Sequence, residues 1–452
     1  MTGGKNAAVC LGAILVASAG SCSRKEVPLR SGPDAGLENQ KILQYAVSRP
    51  GTVWLPKGIF HVRSPVNLVS PVRLKGHDCE TVLRWREPEP LFRITPGGRG
   101  IARFSDFTAE GPIGTWVVFA DSTSSFQLRN IFAMGSGLLT SYARPGVAPE
   151  VDGTREVINC TAWGSEKSVT AINLRFLWNV EVRGNRLHGY RHGVTIWGGE
   201  SNQAKNTFDG TLWGAGRIRV ADNIITGTYA GGIWTSRAQD VTMTRNIIHG
   251  CGDVGLDAEG SRNVFITDNV VADCSNGGLT VFFSSDNVRF ERNIAAATRA
   301  AWPLARVHNS SRRPKEHTGL VFGGNTFITF DPDGMPGKLD NRKGPASGLQ
   351  ILGNNFWNSM IDLSVHSADG TRLSGNRMIF TNAIKTNDPM IRLGPGETGA
   401  TITDNTFISL RHPSIPAAIR IEQSPPEVGG PKISENLFTG FERPVAGADA
   451  PK

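Results

Sequence analysis

The chain has 452 residues, 53 of them glycine, with 19% charged and 39% apolar residues and a formal net charge of +8. That length buries a sizeable core, as one elongated domain or two compact ones. The glycine-rich, charge-poor balance argues against a helical protein and for a turn-rich β protein. Positive charge favours acidic partners such as anionic glycans or a nucleic-acid backbone. Nucleic-acid binding is not expected, because no basic stripe with a recognised motif is present. Rossmann, P-loop and zinc signatures are also missing.

Residues 1–22 read as an export signal. Lys5 supplies the positive start, and Ala7 to Ala19 forms a short apolar stretch. Ala17-Ser18-Ala19 fits ordinary cleavage. Ala19-Gly20-Ser21-Cys22 resembles a bacterial lipobox, which would put a lipid on Cys22 and make that lipid the only membrane contact. The apolar stretch is too short for a transmembrane anchor. The expected location is therefore outside the cytoplasm: periplasm, cell surface or medium. Cys79, Cys160, Cys251 and Cys274 show no metal spacing. Cys251 and Cys274 each follow a repeated asparagine by five residues, so they are expected to stack as buried thiols or to form a disulfide.

A unit of alternating apolar residues ending in asparagine recurs through residues 126–441. Examples are "VEVRGNRL", "IRVADNII", "VTMTRNII", "VFITDNVV" and "ATITDNTF". The asparagines are Asn130, Asn185, Asn223, Asn246, Asn269, Asn293, Asn325, Asn354, Asn376, Asn405 and Asn436, with Cys160 filling the slot once. Period-2 alternation predicts strands. The asparagine is expected at a bend that tolerates positive φ, with its amide bonded to the next copy. One unit cannot bury its apolar face alone, so stacked units must share a continuous core.

These repeats resemble the right-handed parallel β-helix of the pectate-lyase-like superfamily, an all-β solenoid. The upstream segment, residues 34–125, looks like the cap and first coils of such enzymes. In that resemblance a short helix bearing Leu37, Ile42, Leu43 and Ala46 precedes "VWLPKGIF" and plugs the open end. The insertion Asp331 to Ser347 reads as a surface turn with a loose likeness to a calcium loop, and residues 442–452 as a disordered tail.

A second strand recurs in the central coils: "GVTIW", "GIWTSR", "GLDAEG" and "GLTVFF". The last three begin at Gly232, Gly255 and Gly278, 23 residues apart. Inward positions are Val194/Ile196, Ile233/Thr235, Leu256/Ala258 and Leu279/Val281. Outward positions are Thr195/Trp197, Trp234/Ser236, Asp257/Glu259 and Thr280/Phe282. Asp257 and Glu259 then share one exposed face, with Asp253 in the preceding turn. Trp197, Trp234 and Phe282 are expected to be exposed beside them, and Tyr190, His192 and Tyr229 lie in matching turns. Asn173 and Arg175, one coil earlier, read as plain surface. Flanking insertions, Gly198 to Arg217 and the basic Arg306 to Lys315, suggest cleft walls.

Carboxylates beside exposed aromatic rings suit a sugar site. The first expectation is a secreted polysaccharide-degrading glycoside hydrolase needing no cofactor. Asp257 and Glu259 form the carboxylate pair, Asp253, His192 and Arg237 assist, and Trp197, Trp234, Phe282, Tyr229 and Tyr190 bind substrate. The alternative is a Ca²⁺-dependent uronate lyase or epimerase, with Asp253, Asp257 and Glu259 holding the metal. A third reading is a non-catalytic glycan-binding or adhesion β-helix.

Overall fold

The computed structural model describes residues 26–69, 71–94, 100–142, 152–165, 168–199, 214–309, 317–343, 346–364, 370–395, 399–411, 415–422 and 430–447. The export signal with Cys22 and most of the two expected cleft-wall insertions lie outside these residues. Among the described residues no helix is long and apolar enough to cross a membrane.

Strands coil into a right-handed parallel solenoid. Each typical turn contributes two strands to one long sheet and one to a second, and every strand pairing is parallel. The second sheet carries the residues of interest. Its central strands are β1 (Ile172–Arg175), β2 (Val194–Trp197), β3 (Ile233–Ser236), β4 (Val254–Glu259), β5 (Gly277–Phe282) and β6 (Ala305–His308). They stack in that order. The inward column Ile196, Thr235, Ala258 and Val281 is fully buried, as the 23-residue register requires. Phenylalanines stack coil on coil in the same core, Phe290 on Phe322 at 4.6 Å and Phe327 on Phe356 at 4.8 Å. That distance is the strand spacing of about 4.8 Å, so each ring rests on the one below.

The asparagine ladder is present from Asn185 to Asn436, with one difference from expectation. Positive φ falls on the residue before each ladder asparagine: Gly184, Asp222, Arg245, Asp268 and Arg292. The asparagine itself is buried. Its backbone N–H and Nδ2 both donate to Oδ1 of the asparagine one coil on. For Asn223 to Asn246 those bonds are 3.1 and 2.9 Å. Asn130 stands outside the ladder. It has φ of 52°, is exposed, and bonds Asp106. Its strand register aligns it with Asn159, so Ile131 takes the slot that Cys160 fills next.

The helix α1 (Gly36–Val47) covers the first coil. Leu43 and Val47 enter the core, and Leu37 stays 46% exposed because it lies over the rim. Amide side chains replace the missing strand partners. Gln44 bonds both the N–H and the carbonyl of Asn67, Gln40 bonds the Pro65 carbonyl, and Asn39 bonds the backbone of Arg30 and His61. Toward the other end, Val445–Gly447 pairs with Ile419–Ile421, so the expected disordered tail is a strand up to Gly447. In the Asp331 insertion, Asp331 accepts the N–H groups of Asp333 and Ala300 and closes a turn. The segment then runs into a strand, Gly337–Lys343, of the second sheet.

Candidate active site

Outward residues of β1 to β4, with the turns before each of them, surround a cleft of ≈ 490 Å³. Asn173 and Arg175 come from β1, Thr195 and Trp197 from β2, Trp234 from β3 and Glu259 from β4. Thr170, Arg191, His192, Ala230 and Asp253 come from the turns. The cleft therefore runs along the solenoid axis across four coils. In register, Arg175 faces Trp197, then Ser236, then Glu259, and Asn173 leads through Thr195 and Trp234 to Asp257.

The acids separate by burial. Glu259 and Asp253 line the cleft. Asp257, expected on an exposed face, is 0% exposed. Trp234 on one neighbouring strand and Thr280 on the other flank it in register. The Thr280 hydroxyl donates to Asp257 Oδ1 at 2.8 Å, and Oδ2 meets no donor. Burial, the nearby Glu259 carboxylate and the charge of Asp253 push the Asp257 carboxyl well above the usual carboxylate range. Burial and these two like charges therefore favour the protonated form of Asp257.

The aromatic wall is built by stacking. His192 lies against Trp234, ring centroids 5.6 Å apart at 23°. Its Nδ1 accepts the Gly231 N–H at 3.0 Å. Burial, helped by the Arg191 charge, lowers the imidazole to about 4. His192 is therefore neutral at pH 7, with its proton on Nε2. Trp197 packs edge-on against Phe176, and the Arg175 guanidinium lies 4.1 Å from the Trp197 ring centroid.

Four expected members sit elsewhere. Tyr190 is fully buried, its hydroxyl donating to the Ser136 carbonyl at 2.7 Å, because it packs beneath the turn that carries His192. Phe282 is 8% exposed and packs on Phe283 and His308. Tyr229 is 67% exposed but outside the cleft lining, and Arg237 lies beside Gly199 at the end of β3. Among the described residues no group of three or more His, Cys, Asp or Glu is arranged to hold a metal. Cys251 and Cys274 are free thiols in register on adjacent coils. Asn173 and Arg175, read from sequence as plain surface, and Arg191, in the same turn as His192 and given no role there, also line the cleft; the register that placed Asp257 and Glu259 had put Asn173 and Arg175 on the same face.

The fold is that of the right-handed β-helix proteins. The family model for the right handed beta helix region matches residues 145–295. A tailspike protein double mutant of E. coli bacteriophage HK620 superposes with a TM-score of 0.50 at 13% identity, over 81% of this chain and 76% of that one. The A-module of a mannuronan C-5 epimerase from Azotobacter vinelandii gives 0.47 at 14% identity, over 89% and 96%. DFA-IIIase from Arthrobacter chlorophenolicus gives 0.42 at 14%, over 81% and 88%. No curated protein matches the sequence.

Proposed function

We propose that this β-helix is a carbohydrate-active enzyme, a glycoside hydrolase acting on a polysaccharide laid along the solenoid axis. The observation that carries the reading is the placement of Asp257 and Glu259, one carboxyl buried and pushed toward its protonated form and one facing a cleft walled by Trp197 and Trp234. In this reading the two carboxyls share a proton, and burial that favours the protonated form supplies what a general acid requires.

Burial divides the roles. Glu259, the member in the cleft, passes the shared proton to the glycosidic oxygen as the bond to the anomeric carbon breaks. Asp257 acts through Glu259 and does not touch the sugar. Asp253, the other carboxylate lining the cleft, takes a proton from the water whose oxygen bonds to the anomeric carbon. Trp197 and Trp234 offer flat faces to sugar C–H groups, and the neutral His192 Nε2–H donates to a hydroxyl.

The test uses the purified protein on neutral and acidic polysaccharides, with Ca²⁺ and with chelator, scoring reducing ends and unsaturated-uronate absorbance together. New reducing ends without absorbance, reduced about 10²–10⁴-fold in Glu259→Gln, support the hydrolase. Ca²⁺-dependent absorbance replaces it with a lyase. Retention of glycan without turnover replaces it with a binding protein.

A further inference from the structure

The cleft is electrically divided along its length. Asp253, Asp257 and Glu259 occupy the β4 coil. Arg175 and Arg191 occupy the β1 and β2 coils at the other end. Arg175 and Glu259 stand in one register row, separated by Trp197 and Ser236. Three strand intervals put their backbones about 14 Å apart. Among the described residues neither Arg175 nor Arg191 is paired with a carboxylate. Arg175 is held in place: its guanidinium lies over the Trp197 ring, and its backbone N–H donates to the Ser141 hydroxyl at 2.6 Å. An arginine fixed on an aromatic face presents a preorganised fork of donors that matches a carboxylate or sulfate.

We infer that Arg175, with Arg191, forms a subsite for an anionic sugar set apart from the sugar being cleaved, so that the substrate is a heteropolysaccharide with a neutral residue at the reacting carbon and an acidic one farther along the chain. This rests on the hydrolase reading above for where the reaction occurs. The electrostatics separate the two positions. An anionic sugar at the β4 end would meet the acids Asp253 and Glu259, which repel it. At the β1 end it meets two guanidinium groups, with Asn173 beside them as a neutral donor and acceptor. The aromatic floor between the ends is uncharged, so one chain satisfies both only in one direction.

The experiment compares acidic heteropolysaccharides with their carboxyl-reduced or desulfated forms. Binding is read by affinity electrophoresis with the Glu259→Gln variant, and turnover with the unsubstituted protein. Expected is about five- to tenfold tighter binding of the acidic form, weakening with salt. That preference should collapse in Glu259→Gln/Arg175→Gln. It should persist when Arg289, exposed on the other sheet, is replaced by Gln. Equal binding of charged and neutralised forms overturns the inference, as does a preference indifferent to Arg175. Selective binding by Glu259→Gln without turnover by the unsubstituted protein leaves the anionic subsite standing and removes the hydrolase reading, and with it the assignment of a neutral sugar at a reacting carbon. A homopolymer of acidic sugars cleaved faster than the mixed polymer overturns the requirement for a neutral residue at the reacting carbon.

Discussion

At the scale of single residues, burial separates roles that sequence position makes look alike. Asp257 and Glu259 alternate on one strand, yet one is sealed and the other wet. The sealed carboxyl has a stability signature. An unfolded aspartate titrates near 4, and folded Asp257 titrates well above that. Over that window the native state keeps a proton that the unfolded chain has lost, so stability falls as pH rises through it. Replacing Asp257 with Asn should remove this loss. Melting curves should show Asp257→Asn gaining on the unsubstituted protein as pH rises above about 4, while turnover falls. His192 has the opposite sign. Its folded imidazole titrates near 4 and its unfolded one near 6.5. Stability should therefore fall as pH drops through that window, and His192→Asn should flatten the slope in the same measurement.

At the scale of the coil, the ladder residues and the turn residues do different work. Removing the Asn246 side chain leaves the Asn223 N–H and the Val220 carbonyl without that partner, while Asn223 Nδ2 keeps the Val182 and Ala221 carbonyls. Each buried orphan costs about 1–3 kcal/mol. Urea denaturation should show Asn246→Ala to be strongly destabilised and Asn130→Ala to lose about 1 kcal/mol, because Asn130 is exposed and bonds Asp106 but holds a positive φ that Ala tolerates less well. The repeat, its register and the inward column were legible in sequence, since a period of two and a constant coil length force side chains into columns. The one-residue offset at Asn130 was not, because an asparagine suits both the positive-φ position and the ladder. Of the site, the acids and the two tryptophans were legible from register. The burial of Asp257, Phe282 and Tyr190 was not. It depends on how side chains from neighbouring coils close over an outward position, and alternation within one strand carries no record of that. Arg175 was on the right face in the sequence and still read as bland surface, because a lone arginine acquires meaning only from Trp197 beneath it.

At the scale of the molecule, the first edge of the second sheet is closed by side-chain amides, whereas backbone bridges at Glu26 and Gly32 meet the long sheet. Gln44 gives Asn67 both bonds that a neighbouring strand would give. Replacing Gln44 and Asn39 with Ala should bare that edge, and light scattering should detect end-on association that the unsubstituted protein lacks. The ladder, by contrast, has a sense. Each asparagine donates forward, Asn185 to Asn223, Asn223 to Asn246 and Asn246 to Asn269. A coil's own amide is satisfied only when the coil after it has closed. Chains are made N-terminus first, so during synthesis the newest coil always waits on residues still inside the ribosome. Growth at a steady pace leaves one unfinished link at the tip, and a pause leaves that link as the place where the nascent chain is most open to wrong pairing.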